Sequence, residues 1–307
     1  MRGFRALAPA KINLGLFVGA TREADGRHEL VTVMQSISLA DELRLEPAGA
    51  DAESDELVCA GLAGPPEENL AARALAAFRA ATGWEARPQK LTVEKRIPVA
   101  AGLGGGSADA AAALRLAHRA SGLGDEALLL ELAAGLGADV PAQVRPGRWL
   151  ATGAGEAIEA LVDPLPALEL LVLPSHAELS TAAVYGEADE LGLAREQGEL
   201  EHLRAQLRIA LELGAPLPPR RELLHNDLEQ AAVSLCPPVA QALAAVGDAG
   251  AERALVSGSG PTVLGLFGHA NASGRVRRAA AELAELDPAP LPASSVVASF
   301  AAVAELP

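Results

Sequence analysis

Between residues 102 and 106 the chain runs Gly-Leu-Gly-Gly-Gly, four glycines in five positions, after a strand-like stretch (Lys90 to Ile97, ended by Pro98) and before an alanine-rich one. Glycine lets the backbone approach a ligand closely and turn several N–H groups toward one point. The segment from Ala108 to Arg119, closed near Gly122, has the composition of a well-packed helix opening from that loop. A helix entrance adds about half a positive charge. Together these predict an anion cradle over Pro98, Val99, Ala100, Ala101, Gly102, Leu103, Gly104, Gly105, Gly106, Ser107 and Ala108. A plain strand-to-helix turn needs one or two glycines, not four.

Three common phosphate-loop classes fail on inspection. A Walker A loop needs Gly-Lys-Ser/Thr, and none of the three lysines follows a glycine. A dinucleotide fold needs an acidic residue ending a second strand about 20 residues on, whereas Asp125 begins a second helix, about Asp125 to Ala134. The protein-kinase loop requires His-Arg-Asp and Asp-Phe-Gly, and both are absent.

Composition narrows the partners. A formal net charge of -15 opposes DNA, RNA and anionic membranes. Aromatics are 3% of residues, against 50% hydrophobic overall, so the core must be built from Ala, Leu and Val. Met1 to Ala20 superficially resembles a signal peptide, but Lys11 and Asn13 interrupt it and no Ala-x-Ala site follows. Elsewhere no apolar run reaches the roughly 20 residues that span a bilayer. Cys59 and Cys236 lack metal-ligand spacing and the six histidines are scattered, which suits a reducing cytoplasm without a structural metal. Only Lys11, Lys90 and Lys95 are lysines, leaving 22 of 25 basic positions as arginine. Lys11 sits among small and apolar neighbours, where a charge is costly to bury. A snorkelling strand lysine and a functional one fit this equally.

Alternation predicts strands at 11–19 and 29–46 around the turn Asp25-Gly-Arg-His28. Asn69 to Thr82 reads as a helix capped by Asn69 and stopped by Gly83. Gly137-Ala-Asp-Val-Pro141 reads as a helix start with Asp139 at the cap. Asp163-Pro-Leu-Pro166 is a linker, dividing the chain into domains 1–163 and 164–307. The second half reads as a strand at 168–173, helices near 181–190, 197–213, 226–235 and 238–246, strands at 254–257 and 262–267, a helix at 271–286 and a strand at 295–302.

Three separated stretches, Pro9-Ala-Lys-Ile-Asn-Leu14, the glycine loop and Val256-Ser-Gly-Ser-Gly-Pro-Thr262, resemble in order the three motifs of the GHMP kinase superfamily. The further stretches Asp25-Gly-Arg-His-Glu-Leu30, Val33-Met-Gln-Ser-Ile-Ser38, Gly137-Ala-Asp-Val-Pro141 and Asn226-Asp-Leu-Glu229 resemble the branch of that superfamily acting on a cytidine-diphosphate methylerythritol in the non-mevalonate isoprenoid pathway. The resemblance implies an α+β two-domain GHMP kinase fold, with an N-terminal ribosomal-protein-like α/β domain and a C-terminal ferredoxin-like α/β sandwich. It implies a cytoplasmic ATP-dependent small-molecule kinase, using Mg²⁺ brought in with ATP. No nucleic-acid or membrane partner and a monomer or weak homodimer are expected.

The same resemblance assigns roles. Asp139 corresponds to the base that takes the proton from the substrate hydroxyl, and Lys11 to the cation that pairs with it. A neighbouring ammonium would keep that carboxylate ionised. Asn13 and His28 correspond to substrate contacts. The branch usually carries Tyr before that histidine, whereas this chain has Arg27, whose guanidinium plane is expected to stack on the cytosine instead. Tyr185 matches the other aromatic that sandwiches the base. Ser107 fits a phosphate or Mg²⁺ contact as well as a helix cap. Lys95 fits a nucleotide-facing lysine as well as a solvated strand one, and Asn226 and Asp227 fit a structural helix opening.

Overall fold

The computed structural model describes residues 2–60, 65–268 and 271–306. Two long antiparallel strands, β1 (Phe4–Thr21) and β2 (His28–Pro47), form its spine. They are longer than the alternation predicted, because both faces of much of β1 are buried and period-2 contrast fades there. After them come β3 (Glu56–Cys59), α1 (Leu70–Thr82), β4 (Gln89–Glu94), α2 (Gly105–Ser121), α3 (Glu126–Leu136), α4 (Val140–Val144), β5 (Arg148–Thr152) and β6 (Ala157–Ala160). The side chain of Asn69 caps α1, accepting from Ala71 N–H at 2.9 Å, and Gly83 ends it at φ +64°. The first sheet is ordered β3-β4-β2-β1, with β5 also pairing β2 and β6 pairing β5. Its core lies against α1, α2 and α3, where a run of buried alanines lets α2 lie close to the sheet.

The second half contributes β7 (Glu169–Leu173), α5 (Thr181–Glu190), α6 (Gln197–Leu211), α7 (Glu229–Leu235), α8 (Pro238–Asp248), β8 (Arg253–Val256), β9 (Val263–Phe267), α9 (Ala272–Glu282) and β10 (Leu291–Ser294). These four strands form an antiparallel sheet ordered β10-β7-β9-β8. A last short strand, β11 (Ala304–Glu305), returns to the first sheet beside β1. The expected strand over 295–302 is corrected: the strand is β10, and a 3-10 turn occupies Ala298–Ala301. Pro292 argues against a strand there, but β10 is an edge strand, where a missing donor is tolerated. Short β3, β5 and β6 carry no pattern strong enough to predict. No helix among the described residues is long and apolar enough to cross a membrane.

One hydrophobic cluster spans both halves, joining Ile12, Leu14, Val33 and Leu150 to Leu170, Leu207, Leu255 and Leu264. The two sheets are therefore packed on a common core, and the principal cavity opens where β1, β2, α2, α4 and α5 meet.

Candidate active site

The cavity has a volume of about 1020 Å³, room for a nucleotide and a second ligand. The glycine loop forms one wall. α2 begins at Gly105, three residues earlier than its alanine content indicated, with Gly104 as its cap at φ +66°. Glycine has no side chain to fold back, so the first amides of α2 are left without a capping acceptor. Ser107 is thereby a first-turn residue and not the cap. Residues Pro98 through Ser107 all line the cavity. Ala108, the last residue of the expected cradle, packs into the core and lines no part of the cavity, its amide bonded to Gly104 O at 2.9 Å.

The third motif fixes the loop from behind. Ser257 Oγ donates to Gly102 O at 3.2 Å, and a Cβ on Gly102 would collide with Ser257 O. Asn226, buried, organises that motif by donating to Val256 O and Gly258 O at 2.9 and 2.7 Å. Asp227 accepts from Val18 N–H at 2.9 Å and from Arg195 at 2.6 and 2.7 Å. His225 and Arg195 hold its carboxyl below the usual carboxylate range against the opposing cost of burial. Both residues are structural here, as their motif suggested.

Lys11 and Asn13, two apart on β1, face the same side. The amide of Lys11 donates to Leu103 O at 3.0 Å, which fastens β1 to the loop. Its ammonium donates to Asn13 Oδ1 at 2.9 Å and lies 3.2 Å from Asp139 Oδ2. Asn13 Nδ2 in turn donates to Thr32 Oγ1 at 2.7 Å. The geometry resolves Lys11 away from a snorkelling role, since it is only 7% exposed and points at a carboxylate. Asp139 sits at the N-cap position of α4 but its side chain makes no capping bond. The carboxylate is free of the helix and turned to the cavity.

What aligns Asp139 with Lys11 is a buried polar network. Gln143, on α4, donates to Pro9 O at 3.1 Å and accepts from Ser36 Oγ at 3.3 Å. Gln35 accepts from Arg148 Nε at 2.8 Å, while Arg148 also donates to Ala215 O and Pro216 O. Met34-Gln-Ser-Ile37 thus ties β1, β2, α4 and the 215–216 loop together. Gln143 is invisible to sequence reasoning, because a lone glutamine on a five-residue helix carries no pattern.

In the same cavity the rings of His28 and Tyr185 lie 4.9 Å apart. His28 Nε2 is 2.8 Å from Asp189 Oδ1. Burial, then the charge of Asp139, pushes the Tyr185 phenol up to about 12, so it stays protonated. Arg27 lines the cavity too, half-exposed, with its Nε donating to Asp25 Oδ2 at 2.8 Å.

Lys95 is not a solvated strand lysine. It follows β4, is nearly buried, and donates to Asp41 at 2.5 Å and Asp109 at 2.7 Å beside Gly105. Burial and the charge of Asp41 push Asp109 up to about 7, with Lys95 opposing them, and its Oδ1 has no hydrogen-bond partner. Burial works against the Lys95 ammonium, but the two carboxylates outweigh it and raise its pKa. Neither Asp41 nor Asp109 stands out in the sequence, although a carboxylate inside an alanine helix is the available signal.

The GHMP kinases N terminal domain matches residues 69–147, and the GHMP kinases C terminal model matches 207–285. With the fold and the glycine-loop site described above, the chain belongs to the GHMP kinases. Among its relatives, 4-diphosphocytidyl-2-C-methyl-D-erythritol kinase of Anaeromyxobacter dehalogenans is 43% identical over 85% of this chain and 80% of that protein. The protein of the same name from Pelotomaculum thermopropionicum is 42% identical over 85% of this chain and 88% of its own length. A crystal structure of 4-(cytidine 5'-diphospho)-2C-methyl-D-erythritol kinase superposes with a TM-score of 0.73 at 34% identity, covering 95% of this chain and 98% of that one.

Proposed function

We propose that this chain is an ATP-dependent kinase that phosphorylates the 2-hydroxyl of 4-diphosphocytidyl-2-C-methyl-D-erythritol. The observation that carries this reading is the Lys11–Asp139 pair, 3.2 Å apart in the same cavity as the glycine cradle. The relatives of that name, at 42–43% identity, support the choice of substrate.

In this reading the amides of the first turn of α2 receive the ATP phosphates. Asp139 accepts the proton of the 2-hydroxyl as that oxygen bonds to the γ-phosphorus, the bond to the bridging oxygen breaks, and ADP leaves. Lys11, 3.2 Å from Asp139, pairs with that carboxylate and offsets charge on the transferring oxygens. Asn13 orients the methylerythritol portion. His28, Tyr185 and the Arg27 guanidinium hold the cytosine by hydrogen bonding and stacking.

Mg²⁺ would be brought in with the nucleotide. Among the described residues no three His, Cys, Asp or Glu side chains are grouped to hold a metal. Ser107 and Asp139 offer oxygen donors on the cavity wall, the ligand type this ion takes beside phosphate and water. There the ion would supply neutralisation of phosphate charge. We read the protein as a cytoplasmic monomer or weak homodimer, divided into domains at 163/164; its two cysteines are unpaired.

The deciding experiment measures ADP release with this substrate, mevalonate and homoserine. Turnover is expected with the first alone, and failure there with success on another acceptor overturns the assignment.

A further inference from the structure

At the far end of α2 from the glycine loop lies a second, open groove of about 270 Å³. At about 30 Å³ per water, that is roughly nine waters' worth of space. Four basic side chains line it: Arg115, His118 and Arg119 from the last turns of α2, and Arg145 just beyond α4. The rest of its wall is Val144, Pro146 and a floor of small residues from 298–303, with no acidic side chain. This is unusual for a chain of net charge -15. Most other strongly basic regions of the surface are neutralised locally, as in the pairs Arg22–Asp25, Arg79–Asp55 and Arg275–Glu252. Among the described residues none of these four side chains is in an ion pair. Asp163 feels the charge of Arg145 but bonds to Arg148 N–H and lines no part of the groove.

Attraction of His118 and Arg119 to the negative end of α2 accounts for part of this cluster. It does not account for Arg115 or Arg145. Arg115 donates to the carbonyls of Ala111, Leu7 and Ala301 at 3.4, 3.0 and 2.7 Å. Carbonyls satisfy hydrogen bonds but bring no formal charge, and of about five guanidinium N–H groups these contacts leave roughly two. Desolvation holds that guanidinium down to about 10, the mark of a cation lacking a counter-ion. His118 uses its Nδ1 on Leu123 O at 2.9 Å, leaving Nε2 unspent. Arg119 is steadied over the Phe4 ring at 5.4 Å.

We propose that this groove is a second anion site, taking a small molecule through a phosphate or diphosphate group. Guanidinium forks pair with phosphate oxygens in a bidentate way, and a doubly or triply charged group is what the three unpaired guanidinium groups of Arg115, Arg119 and Arg145 around one hollow match. The site is separate from the catalytic cavity, about 16 Å along α2 from Ser107 at 1.5 Å per residue. It touches the far ends of both helices whose near ends hold the cradle and Asp139.

The test titrates the full chain with inorganic pyrophosphate and, separately, orthophosphate at fixed ionic strength, with the glycine loop saturated by a non-hydrolysable ATP analogue. One equivalent of pyrophosphate should bind, more tightly than orthophosphate. The double variant Arg119→Ala/Arg145→Ala, and Arg145→Glu alone, should each weaken it at least tenfold while leaving the KM for ATP unchanged. Both sites are exposed, so folding is not at stake. No binding, equal binding by wild type and both variants, or binding no stronger than that of chloride at matched ionic strength would each overturn the site.

Discussion

The ammonium of Lys11 and the carboxylate of Asp139 come from strand β1 and the entrance of α4, 128 positions apart in sequence, and stand 3.2 Å from each other. The pair is held from both sides, by Asn13 against Lys11 and by Gln143 behind α4. Replacing Asp139 by Asn or Lys11 by Ala is expected to lower kcat by roughly a hundredfold or more while the protein still unfolds cooperatively. Steady-state ADP release checks the first and a thermal melt the second. Near-normal turnover removes that residue from the chemistry.

Two glycines in the loop should respond in opposite ways. Gly102 lies at φ +74°, and an added Cβ would collide with the backbone oxygen of Ser257. Gly102→Ala should therefore cost about 1–2 kcal/mol for the left-handed conformation alone, with a further loss from parting the loop and the third motif. Gly106 lies inside α2, where an added Cβ meets only Leu70 Cδ1 at 3.5 Å. Gly106→Ala should leave stability unchanged or raise it by up to about 1 kcal/mol. Urea unfolding of the two variants separates these outcomes.

Tyr185 offers its ring face beside His28, 4.9 Å away. If the cytosine stacks there, Tyr185→Ala should raise the KM for the cytidine-diphosphate substrate by about tenfold, in line with roughly 1–3 kcal/mol for base–aromatic stacking. The KM for ATP should not move. An equal rise in both constants would place Tyr185 in general folding of the cavity instead.

Asp109 makes stability depend on pH. The unfolded chain ionises it near the ordinary value of about 4, whereas the folded chain keeps the proton up to about 7. Across that interval the folded state binds more protons, so this group's contribution to stability declines as pH rises. Asp109→Asn removes the dependence. Relative to wild type it should gain on the order of 2–3 kcal/mol between pH 5 and pH 8, read from urea midpoints at the two values. A constant difference at both would show that Asp109 ionises freely in the fold.

Local chemistry makes much of this protein legible in one dimension. The glycine run, the caps at Asn69 and Gly83, the helix start at Gly137-Ala-Asp-Val-Pro141 and three ordered motifs are patterns of near neighbours, whereas the pairing of Lys11 with Asp139 is implied only by the resemblance those motifs carry. Backbone conformation and helix entry depend on residues within a few positions, which is why adjacency alone reveals them.

Other features have no local signature. Strand β10 is misplaced by sequence reasoning because its tolerance of Pro292 comes from lying at a sheet edge, which is a property of the whole sheet. Asp41, Lys95 and Asp109 form a charged cluster only because β2, the end of β4 and α2 are stacked. Gln143 aligns Asp139 through bonds to Pro9 and Ser36, each more than a hundred positions away. Sequence determined which groups were available and which turns they sat on. Tertiary packing alone decided which charges lost water together, and therefore which shifted, paired or were left facing a groove without a counter-ion, because desolvation and Coulomb attraction depend on distance in space and not along the chain.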